Sequence, residues 1–179
     1  MSWTFYPAFL AILISGVGLT YIAVTNHDSG SPRTLSELAA AESILLQKFQ
    51  IILTICGLMF ACTVLGFIAP NIERGNLVVV FGVLMVGGEL FLALLPARDK
   101  TTTLHEVAAQ IMAVGMFGLT VLFAIGSNHA NRAFELLLLV MMVAATLLTF
   151  ADKKRYIAYE LCFIYASHVS ILIAVFELK

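Results

Sequence analysis

Glu89, Glu160 and His168 stand inside stretches built otherwise from Leu, Val, Ile, Ala, Gly and Phe. Carboxyl and imidazole groups in such surroundings suit three kinds of chemistry: moving protons, hydrogen-bonding a ligand, or, for the imidazole, ligating haem or a metal. A charge in hydrocarbon is costly unless it is paired, neutralised or hydrated, so residues of this kind face a bundle interior and mark functional sites by default. Which of these chemistries is open to them depends on the depth at which the surrounding elements hold them.

Those elements are membrane helices. The chain has 179 residues, 61% hydrophobic and 12% charged, with a mean hydropathy of +1.00, where soluble domains carry about 45–50% apolar and about 25% charged residues. A hydrocarbon core of about 30 Å needs about 20 helical residues, and six segments qualify: 5–25, 50–70, 76–95, 104–126, 133–151 and 156–177. The first has no Lys or Arg before it and is long for a signal peptide, so it reads as a retained span. Turn chemistry separates the spans, as in Pro70-Asn71 before Gly75-Asn76, Pro96 before Arg98-Asp99-Lys100, and Gly126-Ser127-Asn128. The expected fold is all-α, a polytopic integral membrane protein whose residues 1–179 form one domain of six transmembrane helices packed as antiparallel neighbours.

One connection is long, Asn26 to Phe49. Thr34 and Glu37 fit a capping box at the start of a helix. Leu35, Leu38, Ile44, Leu45 and Phe49 then supply an apolar stripe, so an amphipathic helix is expected between the first two spans, either lying on the membrane or continuing into the second span. Seven of the ten Lys and Arg residues fall in the first, third and fifth loops and three on the opposite side. The positive-inside rule then puts both termini outside the cytoplasm.

Helical rise sets depths. At about 1.5 Å per residue, Glu89 lies roughly 9 Å inside the third span and Glu160 roughly 6 Å inside the sixth, both from the side of the basic loops. Gln110 falls in the same layer of the fourth span, with His105 and Glu106 at its mouth. The expectation is a polar pocket near the cytoplasmic face, with Glu89, Gln110, Glu160 and His105 inside and Arg98, Lys100, Lys153 and Arg155 on its rim. Glu89 serves there as ligand contact or as a carboxyl joining helices. Glu160 is shallow enough to extend toward Lys153 or Arg155. Thr103 and Glu106 read as a second capping box, leaving His105 free to gate the mouth or contact an anion.

His168 lies deeper, near the membrane centre, where a neutral imidazole bonded to a neighbouring helix competes with a proton relay or haem or metal ligation. It is eight residues from Glu160, about 12 Å along the helix, so only a water or Tyr165 would link the two. Glycines at 16, 18, 57, 66, 82, 87, 88, 115 and 118 are expected to let helices approach closely.

Several function classes drop out. A net charge of -1 with no basic stripe excludes a nucleic-acid partner. Cys56, Cys62 and Cys162 make neither a disulfide framework nor a zinc-ligand spacing. Nucleophile elbows, Walker loops, Rossmann glycines and His-Glu-x-x-His are absent from the sequence. His105 and His168 differ in depth by about 15 Å, which argues against a zinc or bis-His haem site, and no cofactor is predicted.

The stretch Thr34-Leu-Ser-Glu37-Leu38, the third span ending Ala93-Leu-Leu-Pro96, His105 opening the fourth span, and Tyr156-Ile-Ala-Tyr-Glu160-Leu resemble a family of six-span prokaryotic membrane proteins known only as domain of unknown function 998. The chain departs from that pattern at Leu94-Leu95, where the family usually has a Gly and an aromatic before the proline. The resemblance implies the six-helix fold and directs attention to His105 and Glu160, without supplying a substrate. The functional expectation is a non-enzymatic protein of the lipid bilayer that binds a lipid or small ligand, or serves as an accessory subunit of a homo-oligomer or larger membrane complex. A proton-coupled transporter or channel using Glu89 and His168 is the alternative, and an embedded enzyme the third reading.

Overall fold

The computed structural model describes residues 5–25, 34–95, 102–152 and 155–178. Seven helices follow one another: α1 (Phe5–Thr25), α2 (Leu35–Ala40), α3 (Ser43–Phe60), α4 (Gly75–Leu94), α5 (Thr102–Gly126), α6 (His129–Ala151) and α7 (Tyr156–Glu177). Among the described residues six helices are long and apolar enough to cross a membrane, so this is a multi-pass membrane protein. Helices α1, α3, α4, α5 and α7 form a ring closed by α7 against α1, and α6 packs outside it on α5 and α7. Exposed residues such as Val17, Val24, Leu94, Val140, Leu147 and Phe150 give the bundle the apolar exterior that lipid requires.

The long connection divides into a short helix, α2, and an earlier start to the second span. Thr34 caps α2, its hydroxyl accepting from Glu37 N while the Glu37 carboxylate accepts from Thr34 N. Residues from Ser43 onward belong to the second span, which therefore begins seven residues before the expected position 50 and runs to Asn71 as one 29-residue stretch. The break between the two helices falls at Glu42, whose backbone is extended (φ -131°, ψ 131°). Neither Gly nor Pro stands there, so intrinsic propensity does not cause it. The break lets Leu35, Leu38 and Ala39 turn into the bundle against α1 and α3, and α2 is a packed segment of the core rather than a helix lying on the membrane surface. Lys48, now inside α3, extends to the Tyr21 hydroxyl at 3.3 Å and lies 4.8 Å above that ring.

Beyond Phe60 the second span widens into a π-helix, Ala61–Ile68, and ends in a 3-10 turn, Ala69–Asn71. The Ala69 amide bonds Val64 O, the i to i-5 pattern of that geometry. Spans four and five also begin earlier than expected, at Thr102 and His129. Asn128 accounts for the second of these, its Oδ1 accepting from Asn131 N at 3.1 Å as an N-cap does.

The seam between α4 and α5 is backbone against backbone. A methyl at Gly88 would lie 2.6 Å from Met112 N and 2.8 Å from Ala108 O, and one at Gly115 would meet the Met85 backbone and, at 2.7 Å, Phe81 O. Gly16, Gly66 and Gly87, expected to serve the same purpose, have open space where a side chain would go. Overpacking a tight contact costs about 1–3 kcal/mol. Gly88→Val and Gly115→Val should each lower the melting temperature of the purified protein, while Gly16→Ala leaves it unchanged; equal melting temperatures would show that the seam tolerates separation.

Candidate functional site

At the end of the bundle where α2 packs, the helices splay around a cavity of about 330 Å³. Its floor is apolar, with Leu19 from α1, Phe49 and Leu53 from α3, Leu92 from α4, Met112 from α5 and Ile164 from α7. Its polar wall comes from α5 with His105, Glu106 and Gln110, and from α7 with Tyr156 and Glu160. Thr34, Ser36 and Glu37 close the remaining side. Every helix except α6 contributes.

Two contacts hold this wall in place. Glu160 Oε2 accepts from the Leu35 amide at 3.0 Å, so a carboxylate on α7 satisfies a backbone donor in the first turn of α2, where the helix dipole favours negative charge. With Thr34 and Glu37 bonded reciprocally, three amides at the start of α2, those of Thr34, Leu35 and Glu37, have partners. His105 is only 5% exposed, and its Nδ1 bonds the carbonyl oxygen of Leu95, joining the first turn of α5 to the end of α4. A carbonyl can only accept, so Nδ1 carries the proton there.

Several sequence expectations change. Glu160 does not extend to Arg155, whose Nε lies 3.7 Å from Asp152 Oδ2 on the surface. Thr103 is already the second helical residue of α5 and cannot be its N-cap, which leaves Glu106 in the cavity wall rather than in a capping box. Arg98, Lys100 and Lys153, expected on the rim, lie outside the described residues. Glu89 does not line the cavity. Gly88 faces α5 across the seam, and the rotation of about 100° to the next residue carries Glu89 toward α3, beside Gly57. Leu92, nearly one turn onward, is the α4 residue that reaches the cavity, in its floor. Glu89 is 2% exposed, and its Oε2 has no partner among the described residues.

His168 is equally enclosed, at 1% exposure. Its Nδ1 lies 3.1 Å from Ser15 Oγ on α1, and its ring centre 4.5 Å from that of Phe60. Ser15 Oγ also lies 3.2 Å from Ile12 O, and His168 Nε2 is without a partner among the described residues. Tyr165 does not connect His168 to Glu160, because its hydroxyl is held by Thr20 Oγ1 at 2.8 Å and Gly16 O at 3.1 Å on α1. Among the described residues no three His, Cys, Asp or Glu side chains gather closely enough to hold a metal ion.

Sequence reasoning missed Glu135. It is 0% exposed, accepts from Ser170 Oγ at 2.6 Å through Oε2, and leaves Oε1 without a partner among the described residues. It lies near the start of the fifth span, three residues after Arg132. Arg132 instead donates to Ile125 O and Ser127 O, so the carboxyl is left to α7. The serines at 167 and 170, one turn apart on α7, were the available signal.

No family model, curated protein or solved structure matches this chain.

The Glu160 bond to α2 is testable. A buried donor left without its acceptor costs about 1–3 kcal/mol. Glu160→Ala should therefore speed amide exchange at residues 34–41 by about tenfold or more, whereas Glu160→Gln, which keeps an accepting oxygen, should stay near wild type. Unchanged exchange in Glu160→Ala would mean that Leu35 and Leu38 alone dock α2.

Proposed function

We propose that this chain is a non-enzymatic multi-pass membrane protein that binds a lipid or other small amphiphile in the cavity beneath α2. The observation that carries the reading is the lining itself. An apolar floor and a wall of His105, Glu106, Gln110 and Glu160 meet in a space of about 330 Å³, at the lower end of the range of about 300–1,000 Å³ usual for small-molecule sites. Membership of the six-span family that the sequence resembles belongs to the same proposal. So does the orientation, with the cavity toward the cytoplasm and both termini outside, supported by the six Lys and Arg residues outside the spans on the cavity side, with Lys48 near the start of α3 on that same side.

Proton-coupled transport is the second reading, and it rests on Glu89 and His168, each buried with one polar atom unpartnered among the described residues. One set of samples separates the two. Ala109 lines the cavity, so Ala109→Trp should abolish a co-purifying amphiphile seen by native mass spectrometry, while Glu89→Gln retains it. Retention in Ala109→Trp, together with proton flux in liposomes that disappears in Glu89→Gln, would replace ligand binding by transport.

A further inference from the structure

Glu135 belongs neither to the cavity beneath α2 nor to the contacts of His168. It lies six residues beyond His129, roughly 9 Å along α6 from the end of the bundle opposite that cavity, and it is wholly enclosed. Its carboxyl group is held in place, because Oε2 accepts from Ser170 Oγ on α7 at 2.6 Å. Oε1, on the same carbon, has no partner among the described residues. Ser167 stands nearly one turn before Ser170 on α7, is enclosed to the same degree, and leaves its own Oγ without a partner among the described residues. Residues three apart on a helix are surface neighbours, with about 5–6 Å between their Cβ atoms. Two enclosed oxygens without partners therefore lie beside one hydrogen-bonded pair where α6 packs on α7.

Ser167 departs from the other enclosed hydroxyls. Thr63, Thr120 and Ser127 return their protons to the carbonyls four residues back, at Met59, Met116 and Phe123, the ordinary solution for a hydroxyl inside a helix. Ser167 makes no such bond, so its hydroxyl is not turned back onto its own helix. Protonation would not complete the group. A proton on Glu135 Oε1 removes the charge but creates a donor that has no acceptor in reach among the described residues. A cation answers both needs, since it takes lone pairs from oxygen and neutralises a carboxylate that hydrocarbon penalises.

We infer that Glu135, Ser167 and Ser170 form a binding site for a small monovalent cation such as sodium, with Glu135 Oε1 and the two hydroxyl oxygens as its protein ligands. One carboxylate and two neutral hydroxyls balance a single positive charge, and an all-oxygen set suits a hard cation rather than a transition metal. Ser170 can take part while donating to Oε2, because a hydroxyl oxygen keeps two lone pairs. At the adjoining end of the bundle a cavity of about 210 Å³ is lined by Ala174, one turn beyond Ser170, and by Glu177, whose carboxyl is within electrostatic reach of Glu135. That cavity gives a cation its approach. The site is independent of ligand binding beneath α2.

The full chain in nanodiscs is unfolded thermally in sodium chloride and in choline chloride at equal ionic strength, choline being too large to enter between packed helices. Sodium should raise the melting temperature saturably, by about 3 °C or more at about ten times its dissociation constant. Glu135→Gln is nearly isosteric and keeps an oxygen for Ser170, and it should abolish the rise. Ser167→Ala should melt no lower than wild type in choline, since it removes only a hydroxyl without a partner, yet need about tenfold more sodium for the same rise. That variant keeps the test sound should Glu135→Gln fail to fold. Equal melting of the wild type in the two salts would overturn the site, leaving a proton, a water or a cation of the chain itself to complete Glu135. A sodium response that persists unchanged in Ser167→Ala or in Glu135→Gln would overturn it as well.

Discussion

In hydrocarbon every polar group must find its partner within the chain, and this requirement explains most of the polar detail in the bundle. The backbone meets it by staying helical across the six spans. Hydroxyl side chains meet it on their own helices: Thr54 donates to Gln50 O, Thr63 to Met59 O, Thr120 to Met116 O and Thr146 to Met142 O. At the end opposite the cavity, Glu177 accepts from Asn131 Nδ2 at 2.8 Å and from Asn128 N at 3.3 Å, so the turn between α5 and α6 is tied to the end of α7. Among the described residues, the buried side-chain atoms that escape the rule, Glu89 Oε2, Glu135 Oε1, Ser167 Oγ and His168 Nε2, are few and lie on α4, α6 and α7.

The cavity is the consequence of two packing decisions acting together. Contact between the backbones of α4 and α5 at Gly88 and Gly115 fixes the rotation of α4, which sends Glu89 toward α3 and gives the cavity an apolar floor at Leu92. The bend at Glu42 then brings α2 back over the opening, where Glu160 takes its first-turn amide. Had α2 continued straight into α3, Thr34, Ser36 and Glu37 would lie beyond the bundle end and the polar wall would lose one side. Glu160 thus links the closing segment to α7, while His105 links α5 to α4.

How much of this was legible depends on the range of the interaction. The capping box of Thr34 and Glu37 spans three residues and could be read directly. Thr103 and Glu106 share the same spacing, yet there the helix begins one residue before the supposed cap, because a motif states what a cap would need and not where the chain enters the helix. Depth counting brought His105, Gln110 and Glu160 into one layer because rise per residue is a property of the helix itself. It also put Glu89 there, since depth carries no information on rotation. Glu135 has the same cause: its enclosure comes from the packing of α6 on α7, which its position in the span does not reveal.

The sequence by itself determined the class, the number of spans, the approximate boundaries and the height of each polar residue, because hydropathy and helical rise are local quantities. Tertiary structure alone decided which way each residue faces and what it meets. Helices slide and rotate until their small residues and side-chain knobs fit, and that fit is a property of pairs of surfaces, absent from either segment alone. On that account Glu160 holds an amide 125 residues away instead of a surface cation, and Glu89 lies beside Gly57 instead of in the cavity.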